Sequence, residues 1–361
     1  MKNVVILPGD GIGPEIVAEA VKIIDFFNEN ENTSISYNYY DFGGISIDKF
    51  NVPLTDETLN ECLKSDAVFL GAVGGPKWES TDPKKPRPED GLLGLRKELE
   101  LFANLRPVKI FKPLVSASTI KEEIIENVDI LVLRELTGGI YFGKKERSKD
   151  EKGVYAYDIE LYYDFEIERI AKLAFETARK RKNKVTSVDK ANVLESSRLW
   201  REIVLKVYKD YSDVELNHMY VDNTAMQLIR NPSQFDVIVT SNMFGDILSD
   251  ETSMISGSIG LLPSASLSES GRGMFEPIHG SAPDIQGQGI ANPIAQILSL
   301  AMMFRYSLGC LKEAEIIESA VDEVLSDGLR TADIATGNEK VLSTSEMGKS
   351  ILDKIIKNCS F

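Results

Sequence analysis

Short apolar runs alternate with amphipathic stretches through the first 135 residues. "NVVIL" (3–7), "DAVFLGAVGG" (66–75) and "DILVLRE" (129–135) are nearly continuous in apolar residues, as strands covered on both faces are. Between the first two, "PEIVAEAVKIIDFF" (14–27) puts Val17, Val21 and Ile24 on one helical face, with Pro14 suited to a first turn. The pattern resumes with a strand over 184–189, a helix over 191–208, a strand over 214–220, a short helix from Asp222 and the strand "DVIVT" (236–240). Two helical patterns close the chain. Strands alternating with helices predict an α/β protein.

Two stretches interrupt the alternation. Residues 138–165 have a charged, turn-like centre with aromatic flanks, which predicts a β-hairpin arm. Its tyrosines (Tyr141, Tyr155, Tyr157, Tyr162 and Tyr163) carry much apolar ring surface, and a partner subunit is expected to cover them. Residues 256–293 are rich in Gly, Ser and Pro and too long for a simple connection; loops of that length are usually functional.

"GDGIGP" (9–14) invites comparison with the dinucleotide-binding fingerprint. That motif needs glycines at its first, third and sixth positions, but here they fall at Gly9, Gly11 and Gly13, with Pro14 in the sixth. The sequence therefore predicts a fold that is not of the Rossmann type. The glycines still indicate a tight turn, structural or beside a ligand.

Composition narrows the function. A chain of 361 residues has room for roughly two domains. Its net charge of −15 disfavours nucleic acid or an anionic membrane surface as partner. No apolar run reaches the ~20 residues of a membrane span, and the N-terminus lacks the features of a signal peptide. The three cysteines, Cys62, Cys310 and Cys359, form neither a disulfide framework nor a metal-ligand pair, and a cytoplasmic location is expected. With only two histidines, a His-rich zinc site is not expected.

Three groups of residues carry candidate chemistry. Asp222 follows one strand, and Asp246 and Asp250 follow another, one helical turn apart in "NMFGDILSDE" (242–251). Like charges at that spacing cost a few tenths of a kcal/mol, and a hard divalent ion held by all-oxygen ligands would relieve the repulsion. Solvated helix-face acids are the plainer reading. Arg96, Arg106 and Arg134 lie in apolar or tightly specified settings. Each can be a structural ion pair, and together they suit a substrate with more than one carboxylate. Lys190, at a strand-to-helix corner, and Tyr141, in "TGGIYFG", are candidate proton carriers or ordinary surface and packing residues.

At this point long motifs match a family in order: "LPGDGIGPEI", "GAVGGPKW", "GLLGLRKELELFANLRPV", "LRELTGGIYFG", "SVDKANVLE", "YVDNTAMQL", "NMFGDILSDE" and "FEPIHGSAPDIQGQGIANP". Over essentially its whole length the chain resembles the isocitrate/isopropylmalate dehydrogenase family of β-hydroxyacid oxidative decarboxylases. The resemblance implies two α/β domains with a mixed sheet. A large NAD-binding domain would comprise 1–101 and 258–361, and a small dimerisation domain 102–257, with the β arm at about 138–165 and the active site in the cleft.

It also implies residue roles. Arg96, Arg106 and Arg134 would bind the substrate carboxylates, and Asp222, Asp246 and Asp250 would hold Mg²⁺ or Mn²⁺, a Lewis acid toward the substrate. Lys190, assisted by Asp222, would accept the C2 hydroxyl proton, and Tyr141 would protonate the product enolate. Lys190 and Asp222 would come from the second subunit of a homodimer. Glu251, about 100° round the helix, is left out of the metal shell. Leu92 and Leu93 would wall a hydrocarbon pocket for an isopropyl group and disfavour the extra carboxylate of isocitrate. Asp284 would accept hydrogen bonds from the adenosine ribose and repel a 2′-phosphate, with Ile285 in place of the tyrosine of NADP-dependent relatives. Ile12, Gly75, Glu89, His279, Gly280, Ser281, Ala282, Pro283, Gly287 and Asn292 complete the implied NAD⁺ site, with the 75–89 segment flanking the nicotinamide. The activity implied is oxidative decarboxylation of (2R,3S)-3-isopropylmalate to 4-methyl-2-oxopentanoate in leucine biosynthesis. Relatives acting on D-malate, tartrate or homoisocitrate are the enzymatic alternatives, and a metal-binding interaction protein the non-enzymatic one.

Overall fold

The computed structural model describes residues 1–30, 33–82, 84–337 and 339–359. Pro83, within the 75–89 segment, lies outside them. The chain forms two compact units, 1–101 with 110–122 and 256–361, and 102–109 with 123–255. Residues 110–122 thus belong with the first unit, whereas the sequence expectation put them in the second. The Arg330 guanidinium donates to the Pro113 carbonyl at 2.9 Å, and a Cβ on Gly257 would come within 3.0 Å of the Ala117 backbone.

In the first unit the strands run in the order β2 (Ile35–Tyr39), β1 (Lys2–Gly9), β3 (Ala67–Ala72), β12 (Gly273–Pro277) and β11 (Pro263–Leu267). All neighbours are parallel except β11 and β12. Around them lie α1 (Gly13–Asn30), α2 (Gly44–Phe50), α3 (Asp56–Lys64), α4 (Pro88–Glu98), α10 (Ile294–Met303), α11 (Leu311–Ser326) and α12 (Thr344–Cys359). Every residue of α10 is buried. The closing region thus has three helices where the sequence suggested two. The 256–293 stretch, which reads as loop, contains β11 and β12. β11, "PSASL", is built mostly of small residues, and β12, "GMFEP", sets its two large buried side chains, Met274 and Phe275, between a glycine and a Glu-Pro pair, so neither shows the long apolar run that announces a strand.

The second unit orders β4 (Ala103–Lys109), β5 (Asp129–Glu135), β10 (Val237–Thr240), β8 (Lys184–Asp189) and β9 (Glu215–Tyr220). Here only β4 is antiparallel to its neighbour. The helices are α6 (Asp164–Arg179), α7 (Glu195–Tyr208), α8 (Val221–Arg230) and α9 (Asn242–Ser253), with a single turn, α5 (Glu122–Ile125), leading into β5. The arm is a two-stranded hairpin, β6 (Lys145–Asp150) against β7 (Gly153–Asp158). Tyr162, at its base, is buried by its own chain against Trp200, ring centroids 5.6 Å apart, while Tyr155 and Tyr163 are exposed. Both units are α/β with mixed strand direction, and neither follows the 3-2-1-4-5-6 order of a Rossmann sheet. No helix among the described residues is long and apolar enough to cross a membrane.

Parallel direction positions the chemistry. β1, β3 and β12 all end at one edge of the first unit, so the loops from residues 9, 73 and 278 emerge together. In the second unit β5, β10, β8 and β9 do the same, which brings out Arg134, the start of α9, Lys190 and Asp222 along one edge. Ligands of open α/β sheets gather at such edges.

Behind the second edge, Asp236 is 1% exposed and accepts Arg181 Nε at 2.8 Å. Arg181→Ala leaves that carboxylate the Lys182 backbone N–H but no cation, so the expected destabilisation is about 3 kcal/mol. Lys172→Ala, on the exposed Glu168 pair, should cost under about 0.5 kcal/mol. Denaturant unfolding of both variants tests the contrast.

Candidate functional site

In the first unit, Asp10 organises the emerging loops. It is buried, and its carboxylate accepts backbone N–H bonds from Gly44, Ile45 and Gly74, each at 2.8 Å. Burial, the largest influence, raises its pKa, partly offset by these three donors. Ser281 ties in a further loop: its hydroxyl donates to the Gly74 carbonyl (2.8 Å) and its own carbonyl accepts from Ile12 N–H (2.9 Å). The approach is so close that a Cβ on Gly11, at φ +58°, would sit 1.9 Å from the Ser281 oxygen. That is the physical reason for the central glycine of "GDGIGP".

A cavity of about 360 Å³ opens here, lined in part by Asp10, Gly11, Gly75, Trp78 and Pro283. The far end of the 279–292 loop is anchored by Thr344, whose hydroxyl donates to the Ala291 carbonyl at 2.7 Å, and by Asn292, whose amide donates to Asp333 at 3.0 Å. Between these anchors Gly280, Pro283, Asp284 and Gly287 are exposed, Ala282, Ile285 and His279 half-buried. Ala282 and Ile285 rest on the small cluster of Ile12, Ile16 and Ala291. Burial lowers the His279 pKa, and its Nε2 is buried without a partner among the described residues. Glu89, exposed at the start of α4, has Oε1 2.9 Å from where a Cβ on Gly74 would be. An open, backbone-lined surface with an exposed carboxylate at Asp284 fits a nucleotide with free ribose hydroxyls.

Also in this unit, α4 carries Leu92, Leu93 and Arg96. Leu92 packs partly into the core and Leu93 is half-buried outside that cluster. Arg96 is buried, pairs with Glu276 at 3.0 Å, and leaves Nε without an acceptor among the described residues. An orphaned guanidinium donor suits an anionic ligand.

The second unit brings five of the remaining residues together. β4 and β5 pair with Asn104 opposite Arg134 and Arg106 opposite Val132, so Asn104, Arg106 and Arg134 share a face. Arg106 donates to Asn104 at 2.7 Å and to Ser249 at 2.5 Å, and reaches Asp250 at 3.1 Å and Asp246 at 3.4 Å. Arg134 pairs with the same Asp246 oxygen, and the Tyr141 hydroxyl donates to the other at 2.8 Å. Burial and the negative charge of Asp246 raise the Tyr141 pKa, so the phenol keeps its proton at neutral pH. The two aspartates, one turn apart on α9, therefore face two guanidinium groups and a phenol.

Lys190 and Asp222 stand apart from this cluster as a pair, 2.5 Å between Nζ and Oδ1, because β8 and β9 are parallel neighbours. The lysine hydrogen bond lowers the Asp222 pKa. Among the described residues no three Asp, Glu, His or Cys side chains gather in a metal-holding cluster. Asp246 and Asp250 supply two hard oxygen donors on one helix face, a set that fits Mg²⁺ or Mn²⁺ once a further carboxylate is added. The sequence reading missed Asp10, Asn104, Asn242, Ser249 and Glu276. Only Asn104, two residues before Arg106 on a strand, and Ser249, three after Asp246 on a helix, left a spacing signal.

These features define a two-unit α/β protein with an open, backbone-lined surface in one unit and a cluster of Arg, Asp and Tyr side chains in the other. A family model described as isocitrate/isopropylmalate dehydrogenase matches residues 3–351, and the chain belongs to that family. It is 58% identical over 354 residues to the 3-isopropylmalate dehydrogenase of Clostridium acetobutylicum, covering 98% of this chain and 99% of that one. It is 57% identical over 352 residues to the 3-isopropylmalate dehydrogenase of Methylococcus capsulatus, covering 97% and 98%. The crystal structure of isocitrate dehydrogenase from Methylococcus capsulatus superposes with a TM-score of 0.87 at 35% identity, covering 98% and 99%.

Asp10→Ala would leave three buried N–H groups without an acceptor. The expected loss is roughly 3 kcal/mol of stability, with faster hydrogen exchange at Gly44, Ile45 and Gly74. Unchanged exchange at all three would remove Asp10 from its organising role.

Proposed function

We propose that this protein oxidises and decarboxylates (2R,3S)-3-isopropylmalate to 4-methyl-2-oxopentanoate and CO₂ with reduction of NAD⁺, a step of leucine biosynthesis. The observation that carries the proposal is the convergence of Arg106, Arg134 and Tyr141 on Asp246 and Asp250. Two guanidinium groups and two carboxylates sum to zero charge. A dianionic substrate entering with a divalent cation leaves that sum unchanged, which keeps the cost of binding charge in a partly buried site low.

The choice of substrate is supported by two paralogues of one organism. Identity is 57% to the Methylococcus capsulatus 3-isopropylmalate dehydrogenase and 35% to its isocitrate dehydrogenase. Leu92 and Leu93 agree with it, since their hydrocarbon suits an isopropyl group worth roughly 2 kcal/mol on burial and strips water from a carboxylate without replacing it.

Arg96, Arg106 and Arg134 hold the two substrate carboxylates. Lys190 of the partner subunit, oriented by its contact with Asp222 of the same subunit, accepts the C2 hydroxyl proton. Tyr141, still protonated at neutral pH, delivers its proton to the carbon that CO₂ leaves. Asp246 and Asp250, joined by Asp222 of the partner subunit, would hold Mg²⁺ or Mn²⁺, which when bound supplies Lewis acidity toward the substrate oxygens. Ile12, Gly75, Glu89 and residues 279–292 would hold NAD⁺, which when bound supplies the hydride acceptor, and Asp284 receives its ribose hydroxyls. A homodimer is supported by exposed apolar side chains on α8 and α9, Met226 at 60%, Ile229 at 45% and Ile247 at 58%. That surface would otherwise stand in water.

NADH production measured side by side with 3-isopropylmalate, D-malate, tartrate and isocitrate tests the assignment. Equal or better turnover of any of the last three would overturn it. A chelator should abolish turnover, and Lys190→Met should do so while leaving Mn²⁺ binding within about twofold.

A further inference from the structure

Arg134 ends a strand of apolar residues and is 2% exposed. Its pairing with Asp246 occupies one terminal nitrogen, Nη1. The edge formed by Nε and Nη2 donates to Oδ1 of Asn242, at 3.1 and 2.8 Å. Asn242 is itself fully buried. Its amide nitrogen donates to the Gly138 carbonyl at 3.0 Å, and its backbone N–H, one of the unsatisfied donors at the start of α9, goes to the Tyr162 hydroxyl at 2.8 Å. The Gly138 turn is fixed in turn by Glu135, which is fully buried and accepts from Thr137 N–H at 2.9 Å and Gly138 N–H at 2.8 Å. A Cβ on Gly245 would lie 2.6 Å from Arg134 Cγ, so α9 packs flat on the arginine stem.

We propose that Asn242 is a positioning residue: anchored by the Gly138 carbonyl and the Tyr162 hydroxyl, it fixes the plane of the Arg134 guanidinium for the substrate carboxylate. The inference rests on the substrate reading given above for Arg134.

The residue type follows from the geometry. Two N–H donors face one side of the amide and a carbonyl faces the other, so the group must accept on one side and donate on the other. Asparagine does both without charge. Aspartate would set two acceptors 3.0 Å apart at Gly138 and would add a second negative charge beside Arg134, competing with an anionic ligand. Alanine would remove the acceptor that Nε and Nη2 share and loosen the hold on the plane of the fork.

A double-mutant cycle tests this, using the whole protein with NAD⁺ and Mn²⁺. Asn242→Ala and Asn242→Asp should each raise KM for 3-isopropylmalate about tenfold or more, with KM for NAD⁺ within about twofold. In the Arg134→Ala background either change should add less than about twofold, because the group it positions is gone. An unchanged substrate KM, or the full effect repeated without Arg134, would overturn the proposal, whatever happens to the melting temperature. Should Asn242→Ala fail to fold, Asn242→Asp, which keeps the shape, carries the same cycle. The substrate reading fails separately: Arg134→Ala alone would then leave KM for 3-isopropylmalate unchanged.

Discussion

A guanidinium buried at the end of a hydrophobic strand dictates much of the second unit. Arg134 is held almost wholly out of water, and an uncompensated charge there would cost several kcal/mol. Compensation needs a carboxylate and further acceptors at fixed positions, and α9 brings them: Asp246 for charge, Asn242 for the remaining edge. The helix must therefore begin within reach of the end of β5, which the parallel pairing of β5 and β10 ensures. It must also carry no side chain at Gly245, where Arg134 lies against it. One buried cation thus specifies the register of a strand pair, the entry of a helix and three residue types along it.

The first unit solves the opposite problem with the same economy. Its loops expose backbone N–H groups, and there the buried group is an anion. Asp10 gathers donors from residues 44, 45 and 74, while Ser281 links two of the same loops through its hydroxyl and carbonyl. The backbone can come this close because Gly9, Gly11 and Gly74 take positive φ. Spacing alone excluded the Rossmann fingerprint, and the structure supplies the cause: these glycines serve loop-to-loop contact, and Gly13 packs its backbone against β1, where a Cβ would meet the Pro8 carbonyl at 2.1 Å.

What could be read from the sequence follows from the same forces. Strand 129–135 announced itself because both faces are buried by side chains, and it lies where its apolar run places it; 184–189, buried on both faces as well, lies where its β-branched residues place it. β4 did not, because its inward face carries Asn104 and Arg106 and its middle carries Pro107; function has replaced the pattern that betrays a strand. β11 was hidden by its small residues, and β12 by the shortness of its Met274–Phe275 run between Gly and Glu-Pro. In the site, spacing exposed the Asp246–Asp250 pair. Their partners were not legible, since Arg106 and Asp250 are 144 residues apart and only the fold joins them. Recognition of long motifs supplied roles for individual residues, but not the contacts by which Asn242 and Asp10 hold those residues in place.

The repulsive pair on α9 illustrates why local spacing is an incomplete guide. Read from sequence, two carboxylates one turn apart look like helix stability given up for a cation. In the folded chain Arg106 spans them, one terminal nitrogen toward each, and Arg134 adds to Asp246. Repulsion worth a few tenths of a kcal/mol is set against charge-assisted hydrogen bonds worth about 1.5–3 kcal/mol each, and the attraction wins. An anion that draws the two guanidinium groups to itself leaves the carboxylates facing each other again, and the repulsion that returns is then relieved by a cation. The arginines give the aspartates partners in the folded chain, and under the proposed function the same cluster would serve an anion and a cation together.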